Sequence, residues 1–126
     1  MESRLSVPAA TLGLQGLLNA LGGVYGLVRP AAFVAQMAQQ FGGGIQAPVV
    51  HGMSLQLLTM GIYTGLAATQ PALHRPALAI NVCLRLMAAY TFWYDGPQMH
   101  SVAMWEFLWA VWNGVTIPFA PKLNTV

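Results

Sequence analysis

Between Pro76 and Ala120 the chain consists of two apolar runs joined by a short polar turn, Asp95-Gly96-Pro97-Gln98. The first run carries Arg85 near its middle and the second carries Glu106 near its start, both flanked by Leu, Ala, Val, Met and Trp. A helical hairpin in water needs a polar face, and this one has almost none. In a bilayer the same hairpin is natural, and its two charges become the groups that need a partner.

Composition points the same way. Of 126 residues, 56% are hydrophobic and 6% are charged, with a mean hydropathy of +0.57. Soluble domains carry roughly 25% charged residues. Five basic and three acidic side chains cannot cover a 13.5 kDa globule, so lipid is expected to cover most of it. A polytopic, all-α membrane domain follows. The formal charge of +2 is small and dispersed, which argues against nucleic acid as a partner. The single cysteine, Cys83, rules out an internal disulfide and any CxxC site. Its apolar surroundings predict a small packing residue.

Along the chain, a short polar head precedes an apolar run from Val7 to Val28, about the 20 residues that a crossing needs. Its glycines suit close helix approach in lipid, and Gly22 and Gly26 form a small-xxx-small pair. Arg29-Pro30 ends that run. Ala31 to Phe41 is too short to span and mildly amphipathic, which predicts an interfacial helix. Gly42-Gly43-Gly44 forms a flexible break closed by Pro48. A second span covers 49–69, a tight loop 72–75, a third span 76–94 with Pro76 in its first turn, and a fourth span 101–120. The expected architecture is four transmembrane helices in an up-down bundle. Arg4, Arg75 and Lys122 then share one side against Arg29 on the other, which puts both termini in the cytosol.

That topology gathers His51, Asp95, His100 and Glu106 in the non-cytosolic half of the bundle. Arg85 and Glu106 lie about ten residues either side of the turn, so their depths differ by roughly 3 Å at 1.5 Å per residue. An arginine side chain spans that gap. Asn81 and Asn113 come out at nearly equal depth and are expected to face each other one layer deeper.

Two readings of these groups stay open. In one, Arg85 and Glu106 neutralise each other and pin the register of the hairpin. In the other they form an acid/base site, since a carboxyl group removed from water favours its proton-bearing form. His51, Asp95 and Glu106 would then exchange protons with a lipophilic substrate, and Arg85 would tune the carboxylate or hold an anionic group. His51, His100, Asp95 and Glu106 are ligand types that suit zinc or iron, but none of them form a ligand pair on one helix face, so no metal or cofactor is expected.

Phe92-Trp93-Tyr94 has the composition of an interfacial belt. Trp105, Trp109 and Trp112 recur at i, i+4 and i+7, one stripe down a helix. The stripe serves either packing and lipid contact or the wall of a cavity for a flat ligand. Tyr90, Asn81 and Asn113 complete the candidate substrate-binding set.

The segment Arg85-Leu86-Met87-Ala88-Ala89-Tyr90, a short turn, then Val102-Ala103-Met104-Trp105-Glu106-Phe107 and Ala110 resembles the central hairpin of the ergosterol-biosynthesis scaffold family. Arg85, Ala88, Ala89, Tyr90, Trp105, Phe107 and Ala110 match that pattern, and Glu106 stands where the family carries threonine. The resemblance covers about 35 residues of the chain, within about 76–113. It implies a small four-span protein of the endoplasmic reticulum that gathers membrane-bound enzymes of a sterol-, terpenoid- or polyketide-like pathway. The expected function is therefore an accessory or scaffold protein whose partners are the bilayer, a lipophilic small molecule and other membrane enzymes. The alternative is a cofactor-free membrane isomerase or cyclase using Glu106 and Asp95, supported by His51 and Arg85.

Overall fold

The computed structural model describes residues 6–41 and 47–122, and the glycine break at 42–44 lies outside the described residues. Within them are five α-helices and no strand: α1 (Val7–Val28), α2 (Pro30–Phe41), α3 (Ala47–Ala68), α4 (Pro71–Tyr94) and α5 (His100–Thr116). Two short 3-10 turns, Pro97–Met99 and Ile117–Phe119, flank α5.

The expected first run is α1. Ser6 caps it, its hydroxyl accepting from the Ala9 N–H at 3.3 Å, and Pro8 occupies the first turn, where its missing N–H costs nothing. α2 and α3 begin one and two residues before the expected starts of 31 and 49. The expected third span, α4, departs further. It starts at Pro71, so the expected loop at 72–75 is helical and Pro76 lies inside the helix instead of opening it.

Two features favour this early start. Pro71 is itself well suited to a first turn, and the buried His74 ring binds the Ala68 carbonyl at 2.9 Å through Nε2. That bond gives a partner to a carbonyl at the end of α3, where helical bonding stops. Pro76, beyond the first turn, removes the backbone donor that would bond the Ala72 carbonyl, a local cost within the helix. At the other end of the chain, α5 stops at Thr116, because Pro118 cannot donate to the carbonyl four residues back. The backbone tightens into a 3-10 turn there.

The hairpin turn needs its glycine. Gly96 has φ 120°, which favours a residue without Cβ, and Met99 N–H closes the turn on the Gly96 carbonyl at 2.9 Å.

The helices associate as two antiparallel pairs, α1 with α3 and α4 with α5. Small residues make the first seam. A Cβ placed on Gly16 would lie 2.6 Å from the Gly65 nitrogen, and one on Gly23 would lie 2.6 Å from the Ser54 carbonyl oxygen. The expected pair was Gly22 and Gly26. Gly26 does face Ser54, but Gly22 meets only the Leu57 side chain, in ordinary contact at 3.9 Å. The seam follows the i, i+7 repeat of Gly16 and Gly23, and Gly22, one residue from Gly23, is rotated about 100° away from that line.

The pairs join through an apolar cluster of Leu12, Ala67, Ala77, Leu78 and Ala120. Much of the remaining surface is apolar and faces outward. Cys83 is among the exposed residues, not the packed ones, because it sits on the outer face of α4. By length and composition, α1 and α4 can each cross a membrane.

Candidate functional site

Where α1, α3, α4 and α5 converge, a cavity of about 170 Å³ is bordered by Gln15, Leu18, Asn19, Leu57, Arg85, Trp105, Glu106 and Trp109. α4 contributes Arg85 and α5 contributes Glu106, and the short turn between these helices sets both at matching depth. Arg85 Nη1 donates to Glu106 Oε1 at 2.9 Å and to Oε2 at 2.7 Å. Their side chains are only 18% and 13% exposed. A charge pair this far from bulk solvent holds because each group neutralises the other.

The guanidinium uses a single nitrogen for both bonds. Among the described residues Nε and Nη2 have no protein partner, and neither is a sealed, unsatisfied atom. They remain able to donate to something inside the cavity.

Below the ion pair is an amide layer. Gln15 Nε2 donates to Asn113 Oδ1 at 2.9 Å, and Asn113 Nδ2 donates back to Gln15 Oε1 at 3.3 Å and to the Trp109 carbonyl at 2.6 Å. Asn113 therefore pairs with α1, not with Asn81 as expected. Thr11 continues the polar stripe, its hydroxyl accepting from Trp112 Nε1 at 3.0 Å.

On the flank of the bundle, α1 and α5 enclose an open groove of about 780 Å³. Val7, Ala10, Thr11 and Leu14 form one side and Trp105, Leu108, Trp109, Val111, Trp112 and Val115 the other. Trp105 and Trp109 meet edge to face, with ring centroids 5.9 Å apart at 85°. These two indoles border both the groove and the ion-pair cavity, so they are the wall between them.

Of the candidate catalytic residues, Arg85 and Glu106 are brought together, while His51 and Asp95 lie outside the cavity and are exposed. His100 stacks on Trp93, centroids 3.8 Å apart, near the hairpin turn. Among the described residues no three His, Cys, Asp or Glu side chains form a metal-binding group. Of the candidate binding residues, Trp105 and Trp109 border both spaces, Trp112 borders the groove, and Asn113 backs the cavity through Gln15. Tyr90 faces outward against Tyr94, and Asn81 borders neither space.

Sequence reasoning missed Thr11, Gln15 and Asn19. The signal was present: they recur every fourth residue along an apolar run, so they form one polar stripe on a helix that otherwise has none.

Compared with known proteins, the chain matches no family model, no curated protein and no solved structure.

Proposed function

We propose that this chain is an integral membrane protein that holds a lipophilic biosynthetic intermediate and serves membrane-bound enzymes as an accessory or scaffold protein. The tryptophan-walled groove between α1 and α5 carries this reading. It is almost wholly apolar, opens sideways, and at about 780 Å³ has the size of small-molecule sites, roughly 300–1,000 Å³.

The outward side chains support membrane placement. Leu17, Leu21, Val28, Leu66, Met87 and Tyr94 are each more than half exposed, an apolar surface that suits lipid and not water. At 1.5 Å per residue, α1, α3, α4 and α5 measure roughly 26–36 Å, which matches a hydrocarbon core of about 30 Å. α2 suits the interface. Arg75 and Lys122 on the side of both termini, with Arg29 opposite, favour cytosolic termini. The resemblance of the last hairpin to the ergosterol-biosynthesis scaffold family supports the endoplasmic reticulum as location and pathway enzymes as partners.

The ion pair fits this role. Both oxygens of Glu106 are engaged by Arg85, the arrangement of a group that fixes a hairpin. One observation favours a second reading, a membrane isomerase or cyclase: Glu106 borders a cavity, where it would act as a proton donor or acceptor.

The deciding experiment uses the purified protein in nanodiscs with the lipophilic intermediate that accumulates when its gene is removed. No turnover alone, and faster turnover once the pathway's membrane enzyme is added, is the result expected. Turnover by the protein alone that disappears with Glu106→Gln would overturn the accessory role in favour of the enzyme.

A further inference from the structure

The groove and the ion-pair cavity share two wall residues but differ in chemistry. The groove offers hydrocarbon and indole surface, while the cavity offers Arg85 Nε and Nη2 and the Asn19 amide, none of them bonded to protein among the described residues. We propose that the two spaces form one site for an elongated lipid bearing a single uncharged oxygen function, a hydroxyl or carbonyl. Its apolar body lies along Trp105, Trp109 and Trp112, and a swing of the exposed Trp105 ring away from Trp109 admits its oxygen to bond Arg85 and Asn19. This rests on the reading of the groove as the seat of a lipophilic molecule, and adds the class of head group that the site selects.

Three observations fix that class. The first is size: about 170 Å³ equals the liquid volume of about five or six waters at ~30 Å³ each, room for a small head group. The second is charge. Glu106 already neutralises Arg85 at 2.7 Å, so a carboxylate or phosphate entering the cavity would bring an uncompensated charge into a water-poor space. An ammonium head fails for the same reason. The third is hydrogen bonding. Free N–H donors on Arg85 and an amide that both donates and accepts on Asn19 match a hydroxyl or carbonyl, whereas a pure hydrocarbon would strip water from them and return nothing.

The test measures binding of three matched probes to the full-length protein in nanodiscs, read by tryptophan fluorescence: geranylgeraniol, geranylgeranoic acid and the corresponding hydrocarbon. The alcohol is expected to bind about tenfold or more tightly than either, as one to two buried hydrogen bonds imply. Asn19→Leu should shrink the preference for alcohol over hydrocarbon several-fold, by weakening alcohol binding and by removing part of the desolvation cost that the hydrocarbon meets. Among the described residues the Asn19 side chain makes no hydrogen bond, so this variant should accumulate normally. Equal binding of all three probes, or tightest binding of the acid, would overturn the head-group inference and leave the groove reading intact. Failure of all three to bind, or binding that Ala10→Trp in the groove wall does not weaken, would overturn the groove reading and the inference with it.

Discussion

Gln15 and Asn113 exchange two amide hydrogen bonds, 2.9 and 3.3 Å long, across the interface between α1 and α5. Both side chains are sealed, at 2% and 0% exposure, and they tie helices from opposite ends of the sequence. The pair does for the two halves of the bundle what Arg85 and Glu106 do for the second half alone.

Removing one amide strands the other. Gln15→Leu is expected to lower stability by about 1–3 kcal/mol, the cost of leaving a buried polar group short of a partner. The double variant Gln15→Leu/Asn113→Leu should lose less than the sum of the two single losses, because it leaves no such orphan between them. Thermal unfolding of all four proteins in one detergent, analysed as a double-mutant cycle, checks this.

The ion pair should behave likewise, with larger numbers. Arg85→Met leaves the part-buried Glu106 without its cation, and breaking a fully buried pair in this way costs about 3–5 kcal/mol, an upper bound for this one. The expected result is a sharp fall in accumulated protein. Arg85→Met/Glu106→Met should accumulate better than Arg85→Met, since no uncompensated charge remains. Quantifying membrane-fraction yield separates these cases, and equal yields for the single and double variants would count against a structural pair.

The seam between α1 and α3 distinguishes two glycines that look alike in sequence. A Cβ on Gly16 would press on the backbone of Gly65 and Gly61 at 2.6–2.9 Å, whereas one on Gly65 meets nothing within 4 Å. Gly16→Ala should therefore destabilise by about 1–3 kcal/mol, the usual cost of overpacking. Gly65→Ala should be neutral or stabilising by up to about 1 kcal/mol through helix propensity. Melting temperatures of the two variants decide the point.

Cys83 reports directly on the surroundings of α4. It is exposed on the outer face, midway along the helix. In intact membranes a charged, water-soluble maleimide should leave it unlabelled, and denaturation in SDS should make it reactive. Pro97→Cys in a Cys83→Ala background, at the exposed hairpin turn, should label without denaturation when the reagent reaches that side. Rapid labelling of Cys83 in intact membranes would remove α4 from the bilayer.

The sequence by itself determined the all-helical class, the bounds of α1 and the Arg85–Glu106 partnership. These are local matters. A serine cap, a run of apolar residues and an Arg-Pro stop delimit α1, and a four-residue turn lets depth be counted along two helices that must be neighbours. The start of α4 was misread because two prolines compete for the first turn, and a long-range bond from His74 to Ala68 favours the earlier one. Tertiary structure alone decided which face each helix turns to its neighbours. It chose Gly16 and Gly23 over Gly22, turned Cys83 outward, gave Asn113 to Gln15 and not to Asn81, and set Trp105 and Trp109 between an apolar groove and a charged cavity. The physical reason is rotational. Periodicity groups the residues of one helix into faces, but a helix apolar nearly all round carries no solvent-facing stripe to orient it. Its rotation is set by the close packing of small residues and the few polar groups that must find one another across 98 positions of chain.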